Sequence, residues 1–212
     1  MLTYVGSETV TDGWRARSAA TRRRRSQAKI TDAARALFEA RGYEDTTIDA
    51  VAKRAGVGPA TIYEHYGTKD ALVATVFAGE LGDLDGPAAE DAIALPVREA
   101  VYRHLLRVAT AVHQHRVLAT ALLSAVNRTE GPPTDERDPR LILPLPRPLA
   151  AILTVAAGRG EISVPTTPED TAASMTSLLL VRIKARDETP EQSVEFVTAL
   201  VLDGLLARSP TK

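Results

Sequence analysis

Cysteine is absent from all 212 residues. That excludes disulfides, thiolate metal ligands and cysteine nucleophiles. Aromatic residues make up 4% of the chain, and its one tryptophan, Trp14, stands isolated and receives no assignment. No apolar run is long enough for a bilayer: the best, around Ala172 to Val181, is interrupted by Ser174, Thr176 and Ser177 and falls short of roughly 20 residues. The N-terminus has arginines but no apolar core of the kind a secretion signal needs, so a cytoplasmic protein is expected. HExxH, GxSxG and GxxxxGK[ST] are all missing, and Gly158 and Gly160 in GRGEIS lack a third glycine and a preceding strand. An enzyme is not expected, nor a cofactor or a metal. His113 and His115 project about 200° apart on a helix and cannot clamp a metal from one face.

What the chain does have is segregated charge. Its net charge is −1. Residues 1–70 carry 12 basic and 9 acidic side chains (+3), and residues 71–212 carry 14 and 18 (−4). Trp14 to Lys29 holds seven basic residues and no acid. A basic front on an acidic remainder suggests that the front alone meets a polyanion, although such runs are also common as solvated tails.

The helical punctuation is dense. Before about Thr21 few apolar residues fall in any register, so residues 1–20 are expected to form a flexible basic arm. Ile30, Ala34, Leu37 and Phe38 then follow one helical stripe, which Gly42 closes. Thr46 or Thr47 suits the N-cap of a second helix burying Ile48, Val51, Ala52 and Ala55, with Asp49 in its first turn. Gly56 permits a sharp turn, Gly58 can cap, and Pro59 suits the first position of a third helix pinned inward by Ile62 and Tyr66, with Thr61, Glu64 and His65 outward. Gly67 ends it and Thr68 opens a fourth. Two short helices joined by a glycine turn and braced by a longer one make a helix-turn-helix over residues 21–67. Residues 68–212 read as longer helices: Leu95 to His115, Arg116 to Asn127, about Pro148 to Ala157, Thr167 to about Arg186 and Thr189 to about Arg208. GPPTDERDPR reads as a loop. With no alternating strand pattern, the fold class is all-α, with about nine helices.

ITDAARALFEARGYEDTTIDAVAKRAGVGPATIYEHYGTKDALV resembles the N-terminal domain of TetR-family transcriptional regulators, in its Phe-containing first helix, Gly-Tyr, Thr-Thr, Ala-Gly-Val, Thr-hydrophobic-Tyr and Thr-Lys. The resemblance covers about Ile30 to Val73. It implies a homodimeric repressor that binds a palindromic double-stranded DNA operator, and whose larger domain takes a small-molecule effector. It also implies that Thr47, Thr61, Tyr63 and Lys69 hold phosphates, and that Pro59, Ala60 and His65 are the candidates for base contacts. Two features depart from the family pattern. Gly58, Pro59 and Ala60 replace residues that commonly bring side-chain donors, and Glu64 sits where an aromatic, His or basic residue is common. By analogy with homeodomain arms, Arg22, Arg23, Arg24 and Arg25 would track the minor groove or the backbone.

One short reading helix covers only a few base pairs, which favours two copies. The last two helices are the interface candidates, with Met175, Leu178 and Leu179 on the first and Val197, Leu200, Val201 and Gly204 on the second. Val194, Val197, Val201 and Leu205 form one stripe on that last helix, while Phe196, Leu200 and Gly204 form another. Tyr102, His104 and Asn127 are the candidate effector contacts, although a histidine there serves as readily as an internally bonded core residue.

Overall fold

Helix-forming residues run without proline from Glu8 to Arg41, and the computed structural model accordingly opens with one 34-residue helix, α1 (Glu8–Arg41). Residues 8–128, 133, 135–163 and 166–205 are described. The chain divides into two compact units, Met1–Gly67 and Thr68–Lys212.

In the first unit, α1 is helical well before Thr21, within the stretch expected to be a flexible basic arm over residues 1–20. No apolar stripe supports that stretch. Alanine and arginine carry good intrinsic propensity, however, and extending a nucleated helix costs far less than starting one. The second half of α1 is core, with Ile30, Ala34 and Phe38 at 1% exposure or less. Gly42 terminates it at φ 76°, its N–H donating to Phe38 C=O at 2.9 Å. α2 (Ile48–Ala55) and α3 (Pro59–Tyr66) follow and complete the helix-turn-helix.

The second unit holds α4 (Lys69–Phe77), a 3-10 turn (Ala78–Leu81), α5 (Asp85–Ala94), α6 (Val97–Gln114), α7 (Arg116–Arg128), α8 (Pro139–Ile142), α9 (Pro146–Gly158), α10 (Pro168–Ala185) and α11 (Pro190–Val197). α11 continues through a π-helical turn, Thr198–Leu202, into Asp203–Leu205. Among the described residues there is no β-strand and no helix long and apolar enough to cross a membrane.

The nine or so expected helices become eleven among the described residues, with α5 and α8 added. α5 was hidden by Gly86 and Pro87, which read as breakers. Pro87 instead sits in the first turn, where no amide is required, and the Asp83 carboxylate accepts from the Asp85 and Gly86 amides at 3.0 and 3.1 Å. α8 is a single turn capped by Asp138 inside the proline-rich segment. α9 starts at Pro146, not Pro148, because the first turn of a helix tolerates both. α6 starts at Val97 rather than Leu95, after Pro96.

Candidate nucleic-acid interface

The helix-turn-helix is shaped by residues that act locally. Thr47 caps α2: its Oγ1 accepts from the Ala50 amide at 3.1 Å. At the other end Gly56, at φ 68°, turns the chain, and the Val57 N–H donates back to Ala52 C=O at 3.0 Å. Thr46, offered by the sequence as an alternative cap, has a different task. It is buried, and its hydroxyl lies within hydrogen-bond reach of the carbonyls of Gly42 at 2.8 Å and Leu37 at 3.2 Å, tying the start of α2 to the end of α1. Phe38 stacks on Tyr43 across the same corner, their rings 6.5 Å apart.

α3 is the eight-residue helix between Gly58 and Gly67. No side chain caps its first turn, and Gly67, at φ 72°, ends it with an N–H to Tyr63 C=O at 2.8 Å. Ile62 and Tyr66 are buried at 1% and 6% exposure, and burial pushes the Tyr66 phenol pKa up. The opposite stripe is exposed: Pro59, Ala60, Tyr63 and Glu64, at i, i+1, i+4 and i+5.

That stripe differs from the one expected. Thr61 and His65 lie at its border, half-buried, and His65 turns its ring toward Tyr66 at 6.1 Å with its Nδ1 sealed from solvent. Helical phase explains only part of the shift. Ile62 and Tyr66 centre the buried face; Glu64 lies about 180° from it and Thr61 about 120°, while Tyr63 and His65 flank it at about 80° on opposite sides, and the flank of His65 is the one that is covered. Tyr63 is 51% exposed, so its phenol is presented to solvent.

Thr47 is exposed, and the hydroxyl that accepts from Ala50 still has its own O–H to donate. Arg22, Arg23, Arg24 and Arg25 are all exposed on α1. Successive residues on a helix point about 100° apart, so the four fan around the axis and cannot all face one duplex. Lys69 opens α4 in the second unit, directly after the Thr68 cap, whose Oγ1 accepts from the Ala71 amide at 3.0 Å. Its side chain is half-buried.

The candidate effector residues do not converge. Tyr102 lines an open cleft with Pro96, Arg98, Glu99, Glu195 and Thr198. His104 is completely buried on another side of α6. Its pKa falls from 6.5 to about 4, first because burial penalises the imidazolium and then because the Arg107 guanidinium is close. Asn127 lies on α7, and its side chain is outside the described residues.

The candidate interface residues also divide. Met175, Leu179 and Val197 have 0% exposure and belong to the core of this chain, which corrects their placement on an outer face. Leu178 and Val201 are half-buried, Leu200 is 60% exposed, and Gly204 lies in the last described helical turn. The π turn lengthens the helical period, so the inward position falls at Leu202 instead of Val201. Val181 and Phe196, at 47% and 41% exposure, join Leu200 as exposed apolar side chains on α10 and α11. Phe196 was legible as part of the second stripe, whereas Val181 gave no separate signal.

Residues 30–76 match the family model described as bacterial regulatory proteins, tetR family. An HTH-type transcriptional regulator of Mycobacterium bovis is 36% identical over 95 residues, covering 42% of this chain and 44% of that relative. An HTH-type regulator of Mycobacterium tuberculosis aligns with the same figures, so the chain spans less than half the length of the curated relatives it matches. Among solved structures, Thermus thermophilus FadR, a TetR-family transcriptional repressor in complex with lauroyl-CoA, is similar with a TM-score of 0.68 and 22% identity, over 88% of this chain and 98% of that one. A TetR-family transcriptional regulator from Mesorhizobium loti has a TM-score of 0.55 at 17% identity, over 88% and 99%. At these identities the likeness is one of fold.

Proposed function

Because residues 30–76 match the tetR family of bacterial regulatory proteins, we propose that the chain is a homodimeric repressor of that family whose paired α3 helices read a palindromic operator and whose second unit binds a small molecule that releases it. DNA-binding regulation is the family's activity, while repression, pairing and release are our reading. The observation that carries it is α3 itself. It is two turns long, bounded by glycines and anchored by Ile62 and Tyr66, with Pro59, Ala60, Tyr63 and Glu64 turned to solvent.

A major groove about 12 Å wide accepts such a helix end-on. Tyr63 and Thr47 would donate to phosphates, with Thr61 at the border and Lys69 supplying a cation. Pro59 and Ala60 would touch thymine methyls, and Glu64 would accept from cytosine N4. The helical form of α1 changes the arginine reading. A helix cannot thread a narrow minor groove as an extended arm does, so Arg22–Arg25 are assigned to the phosphate backbone.

The test is retention of genomic fragments by the purified protein, followed by a salt titration on a retained site. With about 4–6 phosphates neutralised per subunit, log K should fall against log salt with a slope of about −7 to −11. A slope near −2 would mean that the arginines and Lys69 do not engage DNA together. Failure to bind any duplex at low salt would favour a helix-turn-helix used for protein contact, and expression rising in place of falling on binding would make the protein an activator.

A further inference from the structure

The π turn after α11 begins with a hydroxyl that has no structural task. Thr198 is 2% exposed, and its backbone N–H donates to the Glu195 and Val194 carbonyls, whereas its Oγ1 has no hydrogen-bond partner. Elsewhere in the chain the helical threonines Thr21, Thr31, Thr75 and Thr154 each donate to the carbonyl four residues earlier. Thr198 does not follow them. Buried hydroxyls are almost always paired, so this one needs an explanation, and a π turn within a helix is a feature common at functional sites.

Thr198 also lines an opening. With Glu195 from α11 and Pro96, Arg98, Glu99 and Tyr102 from the start of α6, it bounds a cleft of about 520 Å³. Small-molecule sites occupy roughly 300–1,000 Å³. Glu99 and Tyr102 are spaced i, i+3, as are Glu195 and Thr198, so each helix brings one carboxylate and one hydroxyl to the same side. The buried Thr198 is the floor of the cleft, and the exposed Pro96, Arg98, Glu99 and Glu195 are its rim. A helical threonine has two accessible χ1 wells, which lets the hydroxyl of a lining residue meet a ligand without backbone movement.

Charge decides the ligand class. Arg98 pairs with Asp203, and Glu99 pairs with Arg103 at 2.6 Å, so both charges are already met. Among the described residues, the Glu195 carboxylate and the Tyr102 phenol have neither a hydrogen bond nor an ion pair. The uncompensated charge among the lining residues is therefore negative. An ammonium is its complement: its N–H groups donate to a carboxylate and to hydroxyl oxygens, and an aromatic ring nearby adds a further attraction. An anion would meet Glu195 and Glu99 at the rim.

We propose that this cleft binds a small primary ammonium ion with a compact apolar body, the ammonium donating to Glu195 and Thr198 and the body packing against Pro96 and Tyr102. This names the chemical class of the effector and rests on the reading of the second unit as effector-binding.

Three probes with the same benzyl body test the head group: benzylamine, protonated at neutral pH, carries the ammonium, benzyl alcohol is neutral and phenylacetate is an anion. Calorimetry on the full chain should give saturable benzylamine binding, about tenfold tighter than benzyl alcohol and tighter still than phenylacetate. Glu195→Gln removes the charge at an exposed position, and Thr198→Val removes the orphaned hydroxyl at nearly constant volume. Each should keep the helical circular dichroism of the parent and lose about tenfold in benzylamine affinity. Glu169→Gln makes the same charge change at an exposed position on α10, outside the cleft, and should bind as the parent does. Benzyl alcohol or phenylacetate binding as tightly as benzylamine overturns the proposal, as does parental affinity in either cleft variant. Glu195→Gln, on the surface, decides the matter should Thr198→Val not fold. An equal loss in Glu169→Gln would mean attraction by overall charge, and no saturable binding would mean a cleft for water alone; both outcomes overturn the site. The operator assay separates the two readings. If benzylamine binds in the cleft yet DNA is retained, the site stands and release by this class fails. If another class of molecule releases DNA while benzylamine does not bind, the site fails and release stands.

Discussion

Single residues here hold two tasks that substitution can separate. Thr47 is the clearest, since it caps α2 through its oxygen and has an exposed hydroxyl free to donate. Thr47→Ala should lose the cap, costing about 1 kcal/mol of stability, together with the phosphate contact. Thr47→Asp keeps a capping oxygen and places negative charge where the α2 dipole favours it, but opposes phosphate. It should therefore retain a Tm within a few degrees of the parent and bind operator at least tenfold more weakly in gel retardation. Unchanged affinity in the Asp variant would make Thr47 a cap alone. His104 gives a second separable effect. Its folded pKa, about 4, lies below the ordinary 6.5, so as pH falls the unfolded chain takes the proton first. The stability at stake is fully present above about pH 6.5 and is lost progressively down to about pH 4, by as much as ~3 kcal/mol. Urea midpoints at pH 7 and pH 5 should drop in the parent by more than in His104→Leu, and an equal drop would contradict the neutral buried ring.

Elements divide into those with local causes and those whose faces were chosen by packing. The caps of α2, the glycine turn and the Gly58–Pro59 opening of α3 were all legible in the sequence, because Thr, Gly and Pro act through their own backbones. The early start of α1 was not legible, since no hydrophobic stripe announces it and only continuity with the packed half supports it. α5 was masked by a proline in a permitted position. In the candidate site, which stripe of α11 turned inward depended on neighbours and on a π turn that periodicity alone could not place. The helical state of α1 also makes a quantitative prediction. If the four arginines lay in an extended arm, replacing all of them by Gln would remove about four phosphate contacts per subunit. On a helix only about two of the four can face one duplex, so the salt slope of a dimer should fall in magnitude by about 4, not about 7. A fall near 7 would mean that this part of α1 unwinds on DNA.

At the scale of the whole molecule, the division of charge and the exposed apolar side chains of α10 and α11 argue for one arrangement of functions. The first 70 residues carry +3 and the remainder −4, so a polyanion is attracted to the front and repelled elsewhere. The remainder has its own contact chemistry. Val181, Phe196 and Leu200 are exposed, and the Arg182 guanidinium, paired with Glu188, lies 3.7 Å from the centre of the Phe196 ring. A cation held over an aromatic face keeps that ring in place while its remaining surface stays free to pack. On the proposed function a second copy of the same chain would cover these side chains, because one α3 reads too few base pairs to be selective in a genome. Leu200→Glu tests it. At 60% exposure the substitution should change the stability of the isolated chain by no more than about 0.5 kcal/mol, whereas the same change at the fully buried Val197 should unfold it. The parent should sediment at twice 22.7 kDa and Leu200→Glu at 22.7 kDa, with its helical circular dichroism intact. Operator binding should then weaken, and its salt slope should fall to about half the parent's, because one subunit neutralises half the phosphates. A Leu200→Glu chain that stays dimeric would move the interface off this face of α10 and α11, and one that is monomeric yet binds operator with the full slope would remove pairing from the mechanism.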